Sequence, residues 1–90
     1  MDEERFIGDV AAHGLMTFSQ RDALRAAGPT AETLRMVATI YQLAYALGEA
    51  PTGAVRDSFR IAQSTAGNWI AAARAAGLLS PTTTPGKAQP

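Results

Sequence analysis

Four hydrogen-bonding side chains crowd into six residues near the C-terminal end of this chain: Gln63, Ser64, Thr65 and Asn68 in the stretch SFRIAQSTAGNWIAAARAAGLL, residues 58–79. None is acidic, and none is a nucleophile with a base beside it. Their chemistry is recognition. Hydroxyls bond to phosphates or base edges, and a carboxamide is suited to adenine, offering a donor and an acceptor side by side. Three arginines, Arg56, Arg60 and Arg74, flank the group and could hold phosphates. The competing reading of Ser64, Thr65 and Asn68 is a solvated helix face. For Arg74 it is pairing with the C-terminal dipole of its own helix.

Other chemistries lack their residues. Cysteine is absent and His13 is the one histidine, so neither a disulfide framework nor a zinc site within one chain is expected. No Ser/His/Asp arrangement and no Gly-rich phosphate loop occurs. We expect no enzyme, no metal and no cofactor. The acidic start MDEERF has no basic region before an apolar run, so no signal peptide is visible. No apolar run approaches the ~18 residues of a membrane span. The expected location is the cytoplasm, away from membranes.

Hydrophobic residues make up 47% and charged residues 18% of the 90, a globular composition sized for one domain. Nineteen alanines favour helix. The formal net charge is zero, low for a nucleic-acid binder, but charge is segregated. Residues 1–50 hold four Arg against seven acids, a net of −3, while residues 51–79 hold three Arg against Asp57, a net of +2.

The elements that would position the polar group read as helices. Phe6, Ile7 and Val10 form a narrow apolar stripe over Asp2–His13, with Gly14 as the stop. Thr17 and Gln20 have capping-box spacing for a helix running to about Ala27, before Gly28-Pro29. Thr30 caps a long helix to about Leu47, stopped by Gly48. That helix carries two apolar stripes: Leu34, Val37, Ala38, Tyr41, Ala44 and Tyr45, then Met36, Ile40, Leu43 and Leu47. So wide a surface means either the centre of the bundle or a dimer face. Pro51 and Thr52 start a fourth helix, about Thr52–Arg60, with Val55 and Phe59 inward. A break at Ile61-Ala62 precedes a fifth, at about Gln63–Ala76. Ala66, Trp69, Ile70 and Ala73 share its inner face, and Gly77 ends it. Trp69 is read as core rather than a stacking platform. The tail SPTTTPGKAQP, with three prolines and no large apolar residue, is expected to be disordered.

The fold class expected is all-α: one helical domain over residues 1–79, about five helices, with a helix-turn-helix at 52–71 near its C-terminal end. In such a pair the N-terminal part of the second helix enters the major groove. Ser64, Thr65, Gly67, Asn68 and Ala71 would face outward, and Gly67 would allow close approach.

Residues 34–88 resemble small helix-turn-helix DNA-binding proteins of GC-rich, actinobacterial-type bacteria and their phages or mobile elements. Pro51, Thr52, Ala54, Val55, Phe59, Ile61, Ser64, Thr65, Ala66, Trp69, Ala73, Arg74, Gly77, Leu78 and Leu79 carry the resemblance. It implies binding to double-stranded DNA and control of transcription by a homodimer. Gln63, Ser64, Thr65 and Asn68 would then read bases, and Arg56, Arg60 and Arg74 would hold phosphates. Three departures stand out. Arg60 occupies the turn where such proteins usually have Gly, Arg56 stands at an inward position that usually holds Ala, and Gln63 and Asn68 replace arginines. The alternative is a helix-turn-helix frame serving as a protein-interaction module, an antirepressor, inhibitor or assembly adaptor. In either reading the N-terminal helices could meet a protein partner.

Overall fold

Helix ends fix this architecture, because each must satisfy backbone groups that the helix itself leaves free. The computed structural model describes residues 15–80. Over that range the chain forms four helices and no strand: α1 Phe18–Ala27, α2 Ala31–Ala46, α3 Pro51–Phe59 and α4 Gln63–Ala75. The expected helix over Asp2–His13, and the tail beyond Ser80, lie outside the described residues.

Thr17 and Gln20 form the full capping box: the Gln20 amide donates to Thr17 Oγ1 at 3.1 Å, and the Thr17 amide donates to Gln20 Oε1 at 2.8 Å. A second threonine pair ties α1 to α2. Thr30 Oγ1 accepts from the Thr33 amide at 3.2 Å and donates to Thr33 Oγ1 at 3.1 Å. Thr33 is fully buried, and its hydroxyl donates to the Leu24 carbonyl at 3.2 Å, the end of α1. A polar side chain is tolerable there because both of its functions are met.

The long helix lies at the centre of the described bundle, as one of its two expectations had it. α2 packs against α1, α3 and α4. Leu34, Val37, Ala38, Ile40, Tyr41 and Ala44 are buried. The outer ends of the stripes are not: Met36 and Leu43 are half-buried, and Tyr45 and Leu47 are 43% and 50% exposed. Three neighbours cover most of the helix circumference but leave its last turn open.

α3 and α4 press Ala54, Val55, Phe59, Ala66, Trp69, Ile70 and Ala73 into the same core. Phe59 and Trp69 meet edge to face, ring centroids 5.6 Å apart at 79°, a favourable arrangement for aromatic quadrupoles. Ile61 in the connection packs partly against the core. Met16 is fully buried, so the chain enters the core before α1 begins. α1 itself buries no residue completely. Its Phe18 stays exposed beneath the Arg21 guanidinium, 5.2 Å from the ring centre. Among the described residues no helix is long and apolar enough to cross a membrane.

One core feature is unfavourable. Ser58 is fully buried and its Oγ has no hydrogen-bond partner. Desolvating a hydroxyl without compensation costs about 1–3 kcal/mol. Ser58→Ala should therefore leave thermal stability unchanged or raise it by about 1 kcal/mol, measured by thermal unfolding; a clear loss would mean that the hydroxyl is in fact bonded.

Candidate nucleic-acid interface

The connection between α3 and α4 is three residues long: Arg60, Ile61 and Ala62. Its sharpness comes from Arg60, whose backbone is left-handed at φ 58°, ψ 53°. The Ile61 amide donates back to the Arg56 carbonyl at 3.1 Å. The ends of α2 and α4 close in the same manner. Glu49 donates to the Ala44 carbonyl and Leu78 to the Ala73 carbonyl, with Gly48 at φ 79° and Gly77 at φ 82° as the left-handed residues. Two of three equivalent corners use glycine. The third uses arginine, the one non-glycine residue with positive φ among those described. A side chain in that conformation costs about 1 kcal/mol.

An arginine of α1 braces the corner. Arg25 Nη1 donates to the Phe59 carbonyl at 3.2 Å, capping the last turn of α3. Its other terminal nitrogen reaches Asp22 at 3.0 Å, and Arg21 meets the same carboxylate at 2.8 Å. The hydrogen bond from Arg21 holds the Asp22 carboxyl below its ordinary value, with the charges of Arg25 and Arg60 acting in the same direction. Nothing in the residue pattern singles out Arg21, Asp22 or Arg25. The partners of the two ion pairs lie one and three residues apart on α1, and no spacing rule indicates that this face meets the turn.

The expected base-reading residues come together on one surface. Gln63, Ser64, Gly67 and Asn68 are exposed and Thr65 is half-buried, opposite the buried Ala66, Trp69, Ile70 and Ala73. A Cβ built on Gly67 would meet nothing within 4 Å. The N-terminus of α4 has Ala62 at its cap and no side-chain cap bond, so its first amides point outward without a partner side chain.

The three arginines differ in their engagements. Arg56 is not inward, contrary to the expectation. Ala54, Val55, Ser58 and Phe59 fill the inner face of α3, because they follow its 3.6-residue period, and the Arg56 side chain is 42% exposed. Its Nε and Nη2 donate to Asp57 at 2.8 and 3.1 Å, and its Nη1 donates to Gln63 Oε1 at 2.7 Å. The hydrogen bonds between Arg56 and Asp57 raise the guanidinium above and hold the carboxyl below their ordinary values. Because the Asp57 carboxyl is held below its ordinary value, the contribution of this pair is present above that value and is lost as pH falls through the lower folded-state value. Arg60 is exposed, and among the described residues its guanidinium has no hydrogen-bond or ion-pair partner. With Arg56, Asp57 and Ile61 it lines an open depression of about 360 Å³ at the turn. Arg74 lies at the other end of α4, about 16 Å along the axis from Gln63. It stacks over Tyr41, 5.7 Å from the ring centre, and donates from Nε to the Ser80 carbonyl at 3.1 Å.

Comparison with family models, curated proteins and solved structures finds no match to this chain. Among the described residues no group of three or more His, Cys, Asp or Glu could hold a metal ion; His13 lies outside them.

If the left-handed corner is a strain held in place by the surrounding contacts, Arg60→Gly should relieve it. We expect a gain of about 1 kcal/mol, a rise of about 4–8 °C in Tm for a domain of this size. An unchanged or lower Tm would show that the Arg60 side chain stabilises the turn.

Proposed function

We propose that the protein is a sequence-specific DNA-binding regulator of transcription, acting as a homodimer, with α3 and α4 as a helix-turn-helix and α4 in the major groove. The observation that carries this reading is where the chain departs from its own stability rules. Gly67 stands mid-helix on an exposed face, at a cost of about 1 kcal/mol relative to Ala, with nothing nearby to require it. Arg60 holds a left-handed backbone where its sister corners use glycine. The start of α4 lacks a side-chain cap, forgoing another ~1 kcal/mol. All three fall on the surface that a helix-turn-helix presents to a duplex. Local costs with no compensation inside a monomer are characteristic of functional surfaces.

In this reading each feature has a partner on the duplex. Uncapped amides and the helix dipole suit a phosphate. Arg60, which makes no hydrogen bond or ion pair among the described residues, supplies the charge at the turn. Gln63, Ser64, Thr65 and Asn68 reach base edges, and the bare Cα of Gly67 lets the groove wall approach. Arg60 is the strongest phosphate candidate of the three arginines, since Arg56 is paired with Asp57 and Arg74 is held by Tyr41 and Ser80. A dimer follows from size: one short helix reads too few base pairs to be specific.

A protein-interaction module is the second reading. It is favoured by Tyr45 and Leu47, large apolar side chains left exposed at the end of α2, and by the pairing of Arg56 and Arg25 with acids. The two readings part at Gly67. Gly67→Ala should stabilise the fold by about 1 kcal/mol while weakening duplex binding about tenfold, ~1.4 kcal/mol; a variant that is stabilised with binding unchanged would remove α4 from the duplex.

Two further substitutions separate specificity from charge. Asn68→Ala should cost about 1–3 kcal/mol on a selected site and little on random duplex. Arg60→Ala should weaken both alike and reduce the salt slope by about 1. Fluorescence-anisotropy titrations at several salt concentrations measure both, and the absence of any duplex binding at low salt would contradict the proposal.

A further inference from the structure

Arg56 is bound on two edges of its guanidinium at once. Asp57 takes the Nε and Nη2 edge with both carboxylate oxygens, the fork geometry in which an arginine is most firmly oriented. The Nη1 that this leaves is directed to Gln63 Oε1, at 2.7 Å. The contact joins the last turn of α3 to the first residue of α4, seven positions on. Arginine has no acceptor, so the atom of Gln63 facing it is necessarily the carbonyl oxygen. The carboxamide is thereby oriented: its oxygen is held back toward α3 by a cation, and the Nε2 amino group is the part left to solvent.

We propose that the Asp57–Arg56–Gln63 chain is a specificity device, which turns Gln63 from an adenine reader into a donor-only reader of guanine. The inference rests on the DNA-binding role proposed above. A free glutamine pairs with adenine in a bidentate manner, accepting from N6 and donating to N7. Here one of the two lone pairs of Oε1 is taken by a cation, and the N6 amino group of an adenine on the other would bring a donor against the donors of Arg56. The major-groove edge of guanine carries two acceptors, N7 and O6, and no donor. It suits both the exposed Nε2 hydrogens and the positive potential of the neighbouring guanidinium. Arg56 is thus a positioning residue, and Asp57 positions Arg56 in turn. The arrangement also accounts for an acid beside a proposed DNA surface, where a lone Asp57 would only repel phosphate.

Selection from a random duplex library, with sequencing of the bound fraction, tests this using the full chain. Gln63→Ala identifies the base position that Gln63 reads, as the one whose preference vanishes. In the wild type that position should favour guanine over adenine by about fivefold or more, within the range of a single base contact. Arg56→Met keeps the aliphatic stem and removes the donors, and should bring adenine to parity or above. Arg56→Lys keeps the charge but loses the planar fork, and should shift the preference in the same direction. Thermal unfolding checks that each variant is folded, as expected for a half-exposed site. A wild-type preference for adenine, a preference unchanged in Arg56→Met, or full retention of guanine in Arg56→Lys each overturns the inference while leaving DNA binding intact. Failure of the wild type to enrich any duplex overturns both.

Discussion

The edge-to-face contact between Phe59 and Trp69 holds the rest of the structure in place. It joins the last residue of α3 to the middle of α4, so the two helices cannot separate without exposing two aromatic rings. With Phe59 fixed, its carbonyl lies where Arg25 can reach it, and the chain must turn at the next residue. The left-handed Arg60 follows from that requirement. Trp69 in turn decides which face of α4 is hidden. A helix with Trp69, Ala66, Ile70 and Ala73 inward has Gln63, Ser64, Gly67 and Asn68 outward by its 3.6-residue period. The composition of the proposed reading surface is therefore a consequence of one packing contact.

α2 supplies the base against which that pair is built. Its small residues Ala38 and Ala44 and its larger Val37 and Ile40 are all buried in the shared core. Stability is thus concentrated on the buried side of α3 and α4, and the costs are concentrated on the other. An arginine in a glycine corner and a glycine in a helix are both tolerable because the core beneath is well packed. In the proposed role, the separation of a packed inner face from a costly outer face would let a short helix read without reorganising on binding.

Much of this was legible in the sequence because it rests on local rules. Thr17 and Gln20 gave the capping box, Thr30 the start of α2, and the spacing of Ala66, Trp69, Ile70 and Ala73 the inner face of α4. The turn itself was legible at Arg60, but its left-handed backbone was not, since a turn can also be built without positive φ. What the sequence withheld depends on distance in space. Met16 enters the core from outside any periodic segment. Arg25 reaches Phe59 across 34 positions, with no pattern to announce it. Arg56 was expected to face inward, but the period of α3 places Ser58 there instead. The bond from Arg56 to Gln63 depends on the rotation of α4 about its axis, which no spacing rule fixes. For the candidate site, sequence supplied the residues and the fold supplied their engagements, and the engagements distinguish Arg60 from Arg56 and Arg74.

The central claim is that the outer face of α4 meets a DNA duplex. Its most direct measurement is the amide NMR spectrum of the labelled protein titrated with duplex DNA at low salt. Binding through this face should shift amides over residues 60–68, at the turn and the first two turns of α4, and leave Tyr45 and Leu47 unmoved. Shifts centred on Tyr45 and Leu47 with residues 60–68 silent, or no shifts at all, would contradict it.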